Sequence, residues 1–146
     1  MYLKMPSATD TPVYQSVMVM LADLIVDRIQ QVGELDLVVV GQLAIRLQSD
    51  SHNTDPLDKL EVVYNYQLPP PNHSWLTSTR TKWLPRHVNQ MDVTFTQNGR
   101  RFSLALPVMK LARMKKLYNS PPISDRHFQY LLRIEEQLEL ERLLKR

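Results

Sequence analysis

Cysteine is absent from the 146 residues, which excludes a disulfide framework, a thiolate zinc site and thiol catalysis. Glycine is nearly absent: Gly33, Gly41 and Gly99 are the three, too dispersed for a glycine-rich phosphate loop. The four histidines, His52, His73, His87 and His127, lie apart in irregular sequence, so no His-His-acid metal cluster and no Ser-His-Asp arrangement is in view. Long apolar runs are missing too. The longest, Val17 to Leu21, soon meets Asp23 and Asp27 and falls far short of the ~20 residues that span a bilayer. The N-terminus lacks the charged, apolar and small-residue succession of a secretory signal. A soluble, cytoplasmic protein with no membrane partner is expected, long enough to bury a core without a disulfide or structural metal.

Acid is scarce in the middle of the chain. Residues 1–72 hold four Lys or Arg against nine Asp or Glu, whereas residues 73–116 hold nine basic residues and one acid, Asp92. Clustering of this kind creates a positive field that concentrates anionic partners. A solvated basic face without a partner explains the same composition.

Periodicity supplies the elements. Thr11-Pro12 is a helix start, and Val13, Val17, Met20, Leu21, Leu24, Ile29 and Val32 follow at helical spacing. After Gly33, the run Leu35 to Val40 is apolar enough for a strand buried on both faces. Gly41 permits a tight turn into a short helix with Leu43, Ala44 and Leu47 on one side. Residues 49–58 read as a loop. Lys59 to Tyr66 reads as a strand with Lys59, Glu61, Val63 and Asn65 on one face. Pro69-Pro70-Pro71 ends it, and the stretch to His87 reads as irregular or weakly helical. Met91 to Thr96, the Asn98-Gly99 turn and Arg101 to Leu106 predict a hairpin. Pro107 is expected to open a helix to about Tyr118. A last helix starts at Ser124, with Ile123 and Phe128 as a hydrophobic staple and Leu131, Leu132, Leu138 and Leu143 on its buried face.

Three stretches then fall in a suggestive order: Val39-Val40-Gly41-Gln42, Lys59-Leu60-Glu61-Val62 and Met91-Asp92-Val93. In this order and spacing the chain resembles the nucleotidyltransferase-like, polymerase-β-type superfamily, whose phosphate loop, acid-apolar-acid strand and third-carboxylate strand succeed one another in that way. Residues 91–117 followed by 124–134 are most similar to abortive-infection and toxin-associated nucleotidyltransferases. The resemblance implies an α+β fold: one nucleotidyltransferase-like domain over residues 1–146, with a mixed β-sheet flanked by helices and a helical C-terminus.

The same resemblance implies that, in active relatives, three carboxylates hold two divalent cations against a triphosphate, since hard Mg²⁺ needs oxygen ligands. Glu61 and Asp92 occupy the second and third acidic positions, and Lys59 replaces the first. Asp58 substitutes for it only if a bulge reverses its facing; otherwise a Lys59 ion pair with Glu61 or Asp92 is expected. Gly41 and Gln42 are the phosphate-loop remnant, in which Gln42 puts bulk where phosphate would sit. No cofactor is expected, and magnesium only if an active enzyme survives.

The basic segment offers a second candidate site. Arg80, Lys82, Trp83, Arg86, Arg100 and Arg101, with Trp75 and His87, combine phosphate contacts with rings on which bases stack, although tryptophans also serve as buried anchors. Lys110, Arg113, Lys115 and Lys116 are expected on a solvent-facing amphipathic helix. The leading expectation is a catalytically degenerate nucleotidyltransferase-like protein, a pseudoenzyme that binds nucleic acid or another anionic ligand. The alternatives are an active, toxin-type metal-dependent nucleotidyltransferase modifying RNA or protein, and a structural subunit of a homo-oligomer or protein complex whose last helix, with Leu140, Leu143 and Leu144, supplies the contact.

Overall fold

In the computed structural model, which describes residues 2–4, 12–49, 59–97 and 99–144, the elements are β1 (Tyr2–Lys4), α1 (Pro12–Val32), β2 (Leu37–Val40), α2 (Gly41–Leu47), β3 (Leu60–Tyr64), β4 (Leu76–Arg80), a 3-10 turn over Pro85–His87, β5 (Val88–Gln97), β6 (Arg100–Met109), α3 (Leu111–Tyr118) and α4 (Asp125–Leu144). The α+β class with a mixed sheet, flanking helices and a helical C-terminus is as the sequence implies. Thr11, Asn98 and the loop residues 50–58 lie outside the described residues, as do the side chains of Val13, Val17 and Thr96.

Six strands form one sheet in the order β1-β5-β6-β2-β3-β4. The strand β2 runs parallel to β6 and antiparallel to β3. With a neighbour on each side, all four of its residues are buried, as a doubly covered strand requires. Strand ends shift by one to three residues from expectation, β1 is not among the expected elements, and two departures are larger. The segment expected to be irregular contains β4, which pairs in parallel with β3 from Leu60↔Leu76 to Tyr64↔Arg80. As an edge strand it buries only Leu76 fully, so it carries no apolar alternation to betray it. Pro107 does not open a helix: β6 continues through it to Met109. The ladder to β2 is short there, with the single register pair Val39↔Val108, so the missing N–H interrupts little.

The helices bury narrower faces than the periodicity predicts. Among the described side chains of α1, Leu21, Leu24, Ile25 and Arg28 are buried and Met20 packs at the margin of the core, while Ile29 is largely exposed. On α4 they are Tyr130, Ile134 and Gln137; Leu131 and Leu138 pack at the margin of the core, and Leu132 and Leu143 are exposed. Ser124 caps α4, its Oγ accepting from the His127 N–H at 3.1 Å, but Ile123 and Phe128 both stay exposed. α2 lies against β2, β3 and α4, and α3 packs on α4. No helix of the described residues is long and apolar enough to cross a membrane.

Candidate functional site: the Gly41 turn and its surroundings

The chain leaves β2 and enters α2 at Gly41 with φ +73°, in the left-handed region that glycine adopts without strain. Glycine is required there for a second reason. A Cβ at Gly41 would stand 2.0 Å from Glu61 Oε2 and 2.6 Å from its carboxyl carbon. Glu61 on β3, opposite Val40 in register, therefore lies directly over the turn. Its carboxylate is nearly buried, with 8% exposure, and accepts the Tyr130 hydroxyl proton at 2.5 Å.

Two tyrosines from the C-terminal helices thus close on the Gly41 turn. Tyr118 of α3 and Tyr130 of α4 meet edge to face with ring centroids 5.3 Å apart. Burial first, and the Glu61 carboxylate second, push the Tyr118 hydroxyl far above the usual phenol range. Tyr130 is raised by burial, by its hydrogen bond to Glu61 and by the Glu61 charge, with Arg126 acting the other way. Both phenols are therefore protonated at physiological pH, and Tyr130 is the donor to Glu61. The Tyr118 hydroxyl is buried with no hydrogen-bond partner among the described residues, near the Gly41 N–H.

Beside this plug lies a cleft of about 240 Å³ between α2 and α4, lined by Gln42, Ile45, Arg126, Gln129, Tyr130 and Arg133. Arg126 and Arg133 are exposed on α4, and neither forms an ion pair with a described residue. One turn along α2 from Gln42, on the same flank, Arg46 is 6% exposed, and Nε, Nη1 and Nη2 all lack a hydrogen-bond partner. An unpaired buried guanidinium is costly unless an acceptor is supplied.

The structure does not bring the expected carboxylates together. Glu61 and Asp92 sit on β3 and β5, with β6 and β2 between them; three strand spacings of about 4.8 Å separate their strands by roughly 14 Å. Asp92 pairs with Ala105 and is exposed. Lys59 is exposed just before β3, and the expected ion pair is not made: among the described residues Lys59 bridges neither Glu61 nor Asp92. Asp58 lies outside the described residues. No group of three or more His, Cys, Asp or Glu suited to a metal ion occurs among the described residues, and Glu61, held by a phenol, does not fit a two-cation site whose ligands must converge within a few ångströms.

The six expected nucleic-acid residues are likewise divided. Arg80 ends the edge strand β4, and Lys82 follows it. Trp83 is half-buried; its indole N–H donates to the Asp36 carbonyl at 3.2 Å and its backbone N–H to Asn65 Oδ1 at 3.0 Å, so it anchors this segment to the end of β3. Arg100 and Arg101 lie at the far end of the β5–β6 hairpin, Arg101 within 3.5 Å of Thr94 Oγ1. Arg86 sits beside His87, against the start of α3. Trp75 stacks on His73, with centroids 4.8 Å apart. Tyr118, Tyr130, Arg126, Arg133 and Arg46 are absent from the sequence-based expectations. The one local signal for any of them was Arg46 within an otherwise apolar short helix.

Compared with protein-family models, curated proteins and solved structures, the chain has no significant match.

Proposed function

We propose that the chain is a catalytically degenerate nucleotidyltransferase-like protein that binds an anionic ligand in the cleft between α2 and α4. The observation that carries this reading is the arrangement of charge around the Gly41 turn. The carboxylate that would recruit a cation is engaged by Tyr130, whereas Arg126 and Arg133 line the cleft alongside. Guanidinium groups present paired donors to phosphate or carboxylate oxygens, and Gln42 and Gln129 add amide donors to the same walls. Such a site holds an anion without a bridging metal.

Calorimetric titration with ATP and with inorganic pyrophosphate, each in the presence of EDTA, tests it. Saturable binding is expected, weakened about tenfold by each of Arg126→Ala and Arg133→Ala, as loss of a charge-assisted hydrogen bond dictates. Incubation with labelled nucleoside triphosphates and candidate RNA should transfer no label above a Glu61→Ala control. Transfer that depends on Glu61 would place the active-enzyme reading first.

A second reading draws on α4, where Phe128, Leu132, Leu140, Leu143 and Leu144 are exposed: an apolar surface of this kind suits a structural subunit. Sedimentation over a hundredfold concentration range should then show self-association that Leu132→Glu and Leu140→Glu abolish; a monomer throughout dismisses the homo-oligomer.

A further inference from the structure

A second cationic site, separate from the α2–α4 cleft, lies along α3. The segment 81–87 meets this helix at its start and shares a cavity with its later turns. At one end the Lys110 N–H donates to the His87 carbonyl at 2.9 Å. At the other, Thr81 shares a cavity of about 240 Å³ with Arg113, Lys116 and Ser120. Four cations gather around His87: Arg86 next to it in sequence, Lys110 at the helix start, and Arg113 and Lys116, which line the cavity. None forms an ion pair with a described residue, in contrast to Lys115, whose Nζ meets Glu135 of α4 at 2.6 Å.

His87 registers this convergence. Its Nδ1 accepts the Leu84 N–H at 3.1 Å, which fixes the neutral ring with its proton on Nε2. Its pKa is lowered, by desolvation first and then by Arg113, Arg86, Lys116 and Lys110 in that order. No acidic group from its own turn or from α3 offsets them.

We infer that the groove between α3 and residues 81–87 binds the sugar-phosphate backbone of nucleic acid without reading bases. Lys110, at the N-cap, and Lys116 lie within about 9 Å at 1.5 Å per residue, a span over which a strand aligned with the helix presents two to three phosphates at about 3.4 Å of duplex axis each. The Thr81 and Ser120 hydroxyls in the cavity suit phosphate or sugar oxygens. Trp83, inside the 81–87 segment, is half-buried with its indole N–H held by the Asp36 carbonyl, so it is assigned an anchoring role and the ligand contacts to the cations. A bound phosphate chain offsets the four cations around His87, raises its pKa and by linkage makes binding tighten as pH falls.

Fluorescence anisotropy with a labelled 20-base-pair RNA duplex and a DNA duplex of unrelated sequence tests the inference at several salt concentrations, with anionic phosphatidylserine vesicles as the competing surface. Binding is expected to both duplexes. Lys110→Ala/Arg113→Ala/Lys116→Ala should lower affinity at least about tenfold and flatten the log-log salt slope by about 3, whereas Lys115→Ala leaves both unchanged. Thermal melts establish that the variants fold, and the single Lys116→Gln change should show a smaller loss in the same direction. Duplex binding should move the His87 NMR titration upward. Absence of duplex binding at low salt, equal binding by wild type and the folded triple variant, binding to vesicles alone, or a stationary His87 titration would each overturn it.

Discussion

Gly41→Ala is expected to destabilise the protein by about 2–5 kcal/mol, among the larger effects of a single methyl group. Two independent penalties add. The left-handed backbone at φ +73° costs an alanine about 1–2 kcal/mol. The new Cβ would also lie 2.0 Å from Glu61 Oε2, so the carboxylate must leave its place and the Tyr130 hydroxyl loses its acceptor, a further 1–3 kcal/mol or so for an unsatisfied buried donor. Only the second penalty involves Glu61. In a Glu61→Ala background the space is free, and Gly41→Ala should then cost about 1–2 kcal/mol, the backbone share alone. Urea denaturation of the four proteins gives the coupling energy directly. Additivity within 0.5 kcal/mol or so would mean that the glycine answers to its backbone angle and not to the carboxylate above it.

That contact marks the boundary of what the sequence makes legible. The Leu-Val-Val-Val strand, the turn at Gly41, the hairpin around Gly99 and the start of α4 are local patterns: β-branched runs, a positive φ and a serine cap act over a few residues. The edge strand β4 was not legible, because Leu-Thr-Ser-Thr-Arg buries one side chain fully and is a strand by virtue of β3 beside it. Pro107 misled for a related reason: its usual helix-opening role yields when the ladder it interrupts is short. The candidate site was legible as pieces. Gly41, Gln42 and Glu61 do meet at one turn, and Glu61 faces it as alternation along the strand requires. The assembly was not. The order of strands inserts β6 and β2 between Glu61 and Asp92, and the acceptor of the Tyr130 proton lies 69 residues away in sequence. Neither periodicity nor spacing records which strands become neighbours.

The interaction with the most riding on it went unread for the same reason. Asp36, in the short link before β2, receives Arg28 in a two-point contact, Nε at 2.6 Å and Nη2 at 2.8 Å. The same carboxylate accepts the backbone N–H groups of Asn65 at 3.2 Å and Tyr66 at 3.0 Å, while the Asp36 carbonyl holds the Trp83 indole. Arg28 is 1% exposed and Asp36 3%, with the guanidinium also 5.4 Å from the centre of the Tyr64 ring. The pair therefore ties α1, the end of β3 and the 81–87 segment to one point. Removing a single partner strands a buried charge, which typically costs 3–5 kcal/mol or so. Asp36→Ala should sit at the upper end, because it also strips the acceptor from two backbone donors, and Arg28→Met lower, because those two bonds survive. At about 2–4 °C per kcal/mol for a chain of this size, the melting temperature should fall by roughly 10 °C or more for Asp36→Ala. The double variant Arg28→Met/Asp36→Ala relieves the charge but not the orphaned Asn65 and Tyr66 amides. It should accordingly recover part of the loss and remain below wild type by about 1–3 kcal/mol. Thermal and urea melts followed by tryptophan fluorescence measure all three. Full recovery in the double variant would show that the carboxylate serves Arg28 alone, and near-neutral single variants would show that the pair is not closed to water.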